Sequence, residues 1–421
     1  MSRPPNILWI VTTQWRASAF GAAGDANART PHLDALAAGS VNFKQAVTPH
    51  PFGPFARAAM LTGVPSPQNG VRDYFDPLPT TARTIAHDLR DRGYATAFFG
   101  KWHLAKRDPA APLVGEAHAK TPVPPEARGG FEFWEGFESG FLLNDPWLHG
   151  TQLDAPRKFD GYQSEVVGER AGGWLGGQNA NAKTQTPKNP RPYFCVVSLE
   201  APHPPYDAPA AGVVARDPRE IILPANVPRG GEAEAQARRE LAGYYAHDEA
   251  TDRAIGRWLL PEAKRDDTVV IFTSVHGDMH GAHGMFRKGW PHEESVRVPL
   301  FVRLPGDSAR RDDAPMSLVD LPALVLAKAE GRSWKIKKSF ARISMPSVVA
   351  LPQQCDRVWR GVRTNALKLV FNAAPSTGSG RVGSPWLCFD LASDPLEQHN
   401  LAAEPARADE IAWWRAQLNA G

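Results

Sequence analysis

This sequence of 421 residues lacks the features that mark a nucleic-acid-binding or membrane-spanning chain. Its formal net charge is only +3 and it contains no dense run of Lys and Arg, whereas a nucleic-acid-binding surface needs a concentrated basic patch. No segment reaches about 18 uninterrupted apolar residues, the length of a transmembrane helix. The first residues also lack the apolar core of a secretory signal. We therefore expect neither nucleic acid nor a membrane among its partners.

Cysteine is also scarce. The three cysteines, Cys195, Cys355 and Cys388, are far apart and odd in number, which excludes the dense disulfide framework of a small secreted domain. A reduced, cytoplasmic protein fits this pattern best. The sequence is compatible with a homo-oligomer as well as with a monomer.

Apolar runs of strand length recur along the chain. Residues 6–12, 95–99, 193–198 and 268–274 are nearly continuous in apolar residues, as expected of strands buried on both faces of a parallel sheet. Segments with helical spacing lie between them. The order predicts an α/β fold, with a doubly wound, mostly parallel central sheet flanked by helices.

The pattern changes in two places. Residues 106–190 are rich in Gly, Pro, Trp and Asn, and we predict a loop-rich insertion over the site. Beyond about residue 335 the strand-like pieces become shorter, and a Gly/Ser run at 376–384 predicts a hairpin turn. We therefore divide the chain into an α/β domain at 1–334 and a small C-terminal antiparallel sheet with a helix at 335–421.

The stretch 48–63 has the character of an anion cradle. A Pro-rich loop leads into a helix start, where free backbone N–H groups and the helix dipole favour negative charge. Arg57 adds a planar fork suited to sulfate or phosphate oxygens. The loop that precedes Arg57 contains no Cys or Ser, so the cradle lacks a nucleophile.

Other polar residues follow the apolar strands directly. They are Gln14 and Arg16, Lys101 and His103, His203, and the segment from His276 to His283 with Lys288. Strand ends of a doubly wound sheet converge on one crevice. Each residue alone is compatible with a surface charge or a hydrogen-bonded loop residue, but together they favour an anion pocket.

In their order along the chain, these motifs resemble the sulfatase family of the alkaline phosphatase superfamily, and are most similar to its arylsulfatase and phosphonate monoester hydrolase branch. The matching segments are 5–11, 14–16, 30–37, 57–63, 100–103, 202–205, 274–289, 293–300 and 390–401. The resemblance implies an alkaline phosphatase-like fold. It also implies substrate-binding roles for Arg57, Lys101, His103, His203, His276 and Lys288.

Three positions depart from what this resemblance implies. Family members carry metal-binding carboxylates where this chain has Thr13 and Val275, and a Cys or Ser that matures to formylglycine where it has Gly53. A hard divalent cation needs several oxygen ligands, usually carboxylates. We therefore predict that the family's formylglycine and divalent metal are absent, that no other cofactor replaces them, and that no residue is a metal ligand.

Several functions stay open at this point. The chain could bind a sulfo- or phospho-type small anion without ordinary ester hydrolysis. It could instead be an enzyme, either a residual sulfuric or phosphoric ester hydrolase or a metal-free catalyst in which Lys101, His103 and His203 transfer protons or stabilise charge. It could also be a non-catalytic partner of an active homologue. The loop with His276, Asp278, His280 and His283 could rebuild a metal site or simply be hydrogen-bonded.

Overall fold

The computed structural model describes residues 3–184, 191–262, 266–306, 308–373 and 381–420. Ten strands in these residues form the central sheet. From one edge to the other they are β11 (Arg310–Asp312), β2 (Val41–Phe43), β10 (Leu300–Arg303), β9 (Thr268–Ser274), β1 (Asn6–Thr12), β8 (Tyr193–Ser198), β4 (Ala95–Lys101), β5 (Phe133–Phe137), β6 (Trp147–Gly150) and β7 (Leu153–Lys158).

The middle of this sheet is parallel. β9, β1, β8, β4 and β5 run in the same direction, while β10 pairs antiparallel with β9. Every residue of β1, β8 and β9 is buried, because helices cover both faces of the sheet. The predicted doubly wound, mostly parallel sheet is thereby confirmed.

Helices α1, α2, α3, α5, α6 and α8 pack on the two faces of the central sheet around separate apolar cores. The helices of the described residues are α1 (Pro31–Ala38), α2 (Gly53–Thr62), α3 (Ile85–Arg90), α4 (Glu116–Ala119), α5 (Gln163–Thr184), α6 (Glu232–Trp258), α7 (Glu293–Val296), α8 (Leu321–Ala329) and α9 (Ala408–Asn419). Alternate residues of β1 enter different cores: Trp9 packs with residues of α2, α3 and α8, and Ile10 with residues of α1, α5 and α6. This alternation follows from the two-residue period of a strand.

The C-terminal residues form the predicted antiparallel subdomain. Its sheet consists of β13 (Ala341–Met345), β14 (Trp359–Arg363), β15 (Leu367–Ala373) and β16 (Val382–Asp390), against which α9 packs. A further pair, β3 (Ala46–Val47) and β12 (Met316–Ser317), stands apart from both sheets. Residues 376–380 of the hairpin turn predicted at 376–384 lie outside the described residues, and residues 382–384 belong to β16. The division at residue 335 stays a prediction.

The prediction for residues 106–190 was wrong in part. This segment adds β5, β6 and β7 to the sheet edge and contributes α5, which packs against α6. Its glycines hid the helix because Gly has low intrinsic helix propensity. At Gly172 the reason for glycine is close approach, since a Cβ there would lie 2.6 Å from the carbonyl oxygen of Trp258.

Two sequence observations have structural counterparts. In the part of the chain that is described, no helix is both long and apolar enough to cross a membrane. The three cysteines are buried and form no disulfide. The cytoplasmic location stays a prediction.

Candidate anion-binding site

The predicted site residues meet at the carboxyl ends of the central strands. Lys101 ends β4, Thr13 directly follows β1, and Val275 directly follows β9. The N-terminus of α2, at Gly53, faces the same place, because its Cβ position points at His103. The right-handed crossovers of a parallel sheet bring these ends together although they are far apart in sequence.

Arg57 is held by protein acceptors. Its Nη1 donates to the backbone oxygen of Lys101 at 3.1 Å and to the Ser198 hydroxyl at 2.6 Å, and its Nη2 donates to the Thr13 hydroxyl at 2.9 Å. Burial lowers the pKa of Arg57 to about 10, so the guanidinium is charged at neutral pH. Three of its five N–H donors are thus committed to the protein, and Arg57 contributes mainly positive potential.

Glu200 is a buried carboxylate that the sequence analysis overlooked. Its Oε1 accepts from Lys101 Nζ at 2.6 Å and lies 3.7 Å from His203 Nδ1, while its Oε2 has no hydrogen-bond partner in the described part of the chain. The available signal was its position two residues after an apolar strand. The carboxylate of Glu200 compensates the positive charge of Lys101. Removing either member of such a buried pair would leave the charge of the other uncompensated.

Phe141 contacts both His203 and Lys101. Its ring is stacked on His203 with centroids 4.4 Å apart and planes inclined by 3°. Lys101 Nζ lies 4.6 Å from the centre of the same ring, a favourable cation–π arrangement. Phe141 has a φ of 54°, which is uncommon for a residue with a side chain and often accompanies function.

A chain of hydrogen bonds runs from His203 to Asp278. Lys288 Nζ lies 3.0 Å from His203 Nε2 and donates to the amide oxygen of Gln14, whose amide nitrogen donates to Asp278. Tyr206 donates to the same carboxylate at 2.6 Å. All five side chains are buried, so this network fixes Lys288 beside His203.

Burial lowers the pKa of both lysines. The pKa of Lys101 falls to about 8 although Glu200 opposes the shift, and that of Lys288 falls to about 7 although Asp278 opposes it. Desolvation disfavours an ammonium group, and a nearby carboxylate restores part of the charge. Near neutral pH, Lys288 therefore exists in both protonation states.

The hydrogen bonds of two histidines fix their tautomers. Arg107 Nη1 donates to His103 Nε2 at 3.0 Å, so a neutral His103 carries its proton on Nδ1. His203 Nδ1 donates to the carbonyl oxygen of Pro204 at 2.7 Å, which leaves Nε2 to accept from Lys288. Burial and nearby cations hold the pKa of both imidazoles well below the usual range. His103 thus presents an N–H group towards Gly53.

His276 also carries its proton on Nδ1, but its other nitrogen is unpaired. Its Nδ1 donates to the Gly277 carbonyl oxygen at 2.9 Å, and its Nε2 is buried without a partner among the described residues. Burial, followed by the charge of Lys288, keeps the pKa of His276 well below its usual range. His276 therefore holds an uncommitted imidazole lone pair beside the cations of the site.

The sequence matches a known protein family over most of its length. The model of a family described as Sulfatase matches residues 5–331. The chain belongs to the sulfatase family. It is 31% identical over 428 residues to the ulvan-active sulfatase of Formosa agariphila, which covers 95% of this chain and 78% of that protein. The predicted family membership is confirmed.

Solved structures agree on the fold. The provisionally assigned sulfatase yidJ from Bacteroides fragilis superposes with a TM-score of 0.83 at 24% identity, over 99% of this chain and 95% of that chain. The phosphonate monoester hydrolase of Agrobacterium radiobacter gives a TM-score of 0.71 at 22% identity, over 99% and 95%. The sulfatase-type, alkaline phosphatase-like fold is therefore shown.

The side chains at the family's metal positions do not fit a hard divalent cation. The Thr13 hydroxyl accepts from Arg57, and the amide oxygen of Gln14 accepts from Lys288. Val275 is fully buried in the apolar core. Asp278 is the carboxylate left beside them, whereas such cations take six to eight oxygen ligands. Within the described ranges, no three His, Cys, Asp or Glu side chains are grouped to hold a metal ion.

The His-rich loop spreads its side chains over different surroundings. Asp278 belongs to the network with Gln14 and Tyr206, and the His280 ring packs on Tyr244 with centroids 4.4 Å apart. His283 instead lies next to His292, with ring centroids 4.6 Å apart, and to Asn226. The loop therefore does not direct its four side chains at one point.

Proposed function

We propose that this sulfatase-family protein binds a small sulfo- or phospho-type anion and does not perform formylglycine- and metal-dependent ester hydrolysis. The observation that carries the proposal is that Arg57, Lys101 and Lys288 are all buried at one site, where Lys101 and Arg57 also lie near the N–H group of His103. Buried cations of this kind are costly unless something compensates them. The anion would meet the Lys288 ammonium group directly, while Lys101 and Arg57 add positive potential.

The three departures from the family support the second half of the proposal. Gly53 has no side chain that could become an aldehyde hydrate, and Thr13 and Val275 supply no carboxylate. Loss of two carboxylates together with one dication leaves the local charge roughly unchanged, so the pocket keeps its attraction for anions. We propose accordingly that the protein works without a metal or another cofactor.

The direct test is isothermal titration of sulfate, phosphate and naphthalene-2-sulfonate at pH 6. We expect binding of at least one of these anions, and a loss of about tenfold or more for Lys288→Met, as for other charge-assisted contacts. Lys106→Met is the matched control, because Lys106 is exposed. Lys288→Arg keeps the charge and should retain most of the affinity. Failure of all three anions to bind, or unchanged binding by Lys288→Met, would overturn the proposal.

A second candidate is metal-free hydrolysis in the same site, favoured by the free lone pair of His276 Nε2. Water would attack the sulfur or phosphorus atom and pass a proton to His276, while the ester bond breaks and the leaving oxygen takes a proton from the Lys288 ammonium group. His103 and His203 are poorer bases, because their lone pairs already accept from Arg107 and Lys288. Slow turnover of a nitrophenyl sulfate in EDTA that is lost in His276→Ala would support this candidate.

A further inference from the structure

The cavity beside the anion site is much larger than the anion. Its volume is about 680 Å³, and its lining includes the buried residues His203 and Lys288. A volume of this order accommodates an organic molecule rather than an inorganic ion. The bound compound therefore has room for a body attached to its anionic group.

The wall of this cavity is largely apolar. Leu113, Val114, Phe141, Leu351 and Pro352 line it. The apolar side chain of Val114 is 65% exposed. Because this apolar wall is open to solvent, a hydrophobic ligand group that covers it would stabilise the complex.

The less exposed polar side chains of the same cavity already have protein partners. Arg287 forms a two-point contact with Glu240, at 2.6 and 3.0 Å, and Gln354 accepts from the backbone N–H of Lys288 at 3.2 Å. Asp207, Arg239 and Gln353 also line the cavity, but all three are exposed to solvent. Apart from the anion site, the less exposed part of the lining thus offers few polar groups for the hydroxyls of a sugar.

We infer that the ligand of this site carries an aryl or alkyl group, rather than a sugar, next to its anionic group. This inference rests on the proposed function, since it takes the anion site at Lys288 and His203 as given. The hydrophobic group lies against Val114, Leu113 and Leu351, and the anionic group lies at the anion site.

The test compares three probes by titration at pH 6: naphthalene-2-sulfonate, glucose 6-sulfate and inorganic sulfate. We expect the aryl sulfonate to bind about tenfold or more tightly than either other anion, because a ring buries a large apolar area. The variant Val114→Asn, alone and with Leu351→Asn, should reduce the aryl affinity by about threefold to tenfold and leave sulfate binding unchanged.

Val214→Asn is the matched control, because Val214 is 87% exposed and is not part of the cavity wall. It should leave all three affinities unchanged. Equal binding of glucose 6-sulfate and the aryl sulfonate by the wild-type protein, or an aryl preference that is unchanged in the double variant, would overturn the inference while the anion site stands. Loss of all binding, including that of sulfate to the wild-type protein, would instead overturn the proposed function.

Discussion

The imidazole of His103 fills the space in which a side chain at position 53 would begin. A Cβ atom placed on Gly53 would lie 2.9 Å from His103 Nδ1 and 3.2 Å from Cε1. His103 is 4% exposed and is held by Arg107 on its other nitrogen. At position 53, where the resemblance places the family's nucleophile, this chain therefore has no side chain, and the packing of His103 leaves little room for one.

The first prediction concerns Gly53→Cys and Gly53→Ala. Both should lower the free energy of unfolding by about 1–3 kcal/mol, because the new Cβ crowds His103. Gly53→Cys should gain no nitrophenyl sulfatase activity, even when it is produced with a formylglycine-generating enzyme. Urea denaturation and a turnover assay check the two effects. Family-like turnover by the Cys variant would show that the closed position can be reopened.

The second prediction concerns the pH dependence of anion binding. The protonated forms of Lys288 and Lys101 attract the anion, and their pKa values are about 7 and about 8. Affinity should therefore be constant well below pH 7, fall by up to about tenfold per pH unit between pH 7 and 8, and fall more steeply above pH 8, where both lysines lose their protons. In Lys288→Met the fall near pH 7 should disappear, whereas Lys106→Met should keep the wild-type profile. A flat wild-type profile between pH 6 and 9 would contradict this prediction.

The third prediction concerns the proton on His103. Nitrogen-15 NMR of the imidazole at neutral pH should show a protonated Nδ1 and an unprotonated Nε2, because Arg107 donates to Nε2. Arg107→Met removes this donor and one positive charge, so the pKa of His103 should rise. Arg90→Met is the control, because Arg90 is exposed. A wild-type His103 protonated on Nε2 would exclude the proposed donor role towards the pocket.

The fourth prediction concerns metal removal. Elemental analysis of the purified protein should find far less than one Ca, Mg, Mn or Zn ion per chain. Anion binding should also be the same before and after EDTA treatment, because Lys288 and Arg57 occupy the oxygen atoms at positions 14 and 13. A full complement of metal would refute the proposed metal independence, whatever the activity.

The fifth prediction concerns the buried ion cluster between the two parts of the chain. Lys368 is fully buried and lies 2.8 Å from Glu293 and 2.6 Å from Glu397. Lys368→Met should lower the free energy of unfolding by about 3–5 kcal/mol, the cost of leaving buried carboxylates without their partner. Lys335→Met changes an exposed lysine and should alter stability by less than about 0.5 kcal/mol. Chemical denaturation measures both, and similar values would contradict the prediction.

Much of the fold could be predicted from apolar patterning. β1, β8 and β9 appear in the sequence as apolar runs because both of their faces are buried. β7 gives no such signal, since four of its six residues are exposed. α5 was missed for another reason: Gly168 and Gly172 pack closely against Trp258 of α6, which is a tertiary requirement that local propensity does not record.

Some residues of the candidate site could likewise be predicted from the sequence, and others could not. The polar residues after the strands were found because each follows an apolar run. Glu200 and Phe141 were missed because their importance depends on residues that are distant in sequence. Glu200 pairs with a lysine 99 positions away. Phe141 contacts the ring of His203 and the ammonium group of Lys101.

The sequence by itself determined what this protein lacks. No folding can give Gly53 a nucleophile or Thr13 and Val275 a carboxylate, because these are properties of covalent structure. The tertiary structure alone decided what the remaining groups do. Arg57 gives its donors to protein acceptors, and Lys288 sits against Gln14, a residue 274 positions away. Hydrogen bonds and desolvation set the charge and proton positions of the site, and both depend on neighbours that only the folded chain brings together.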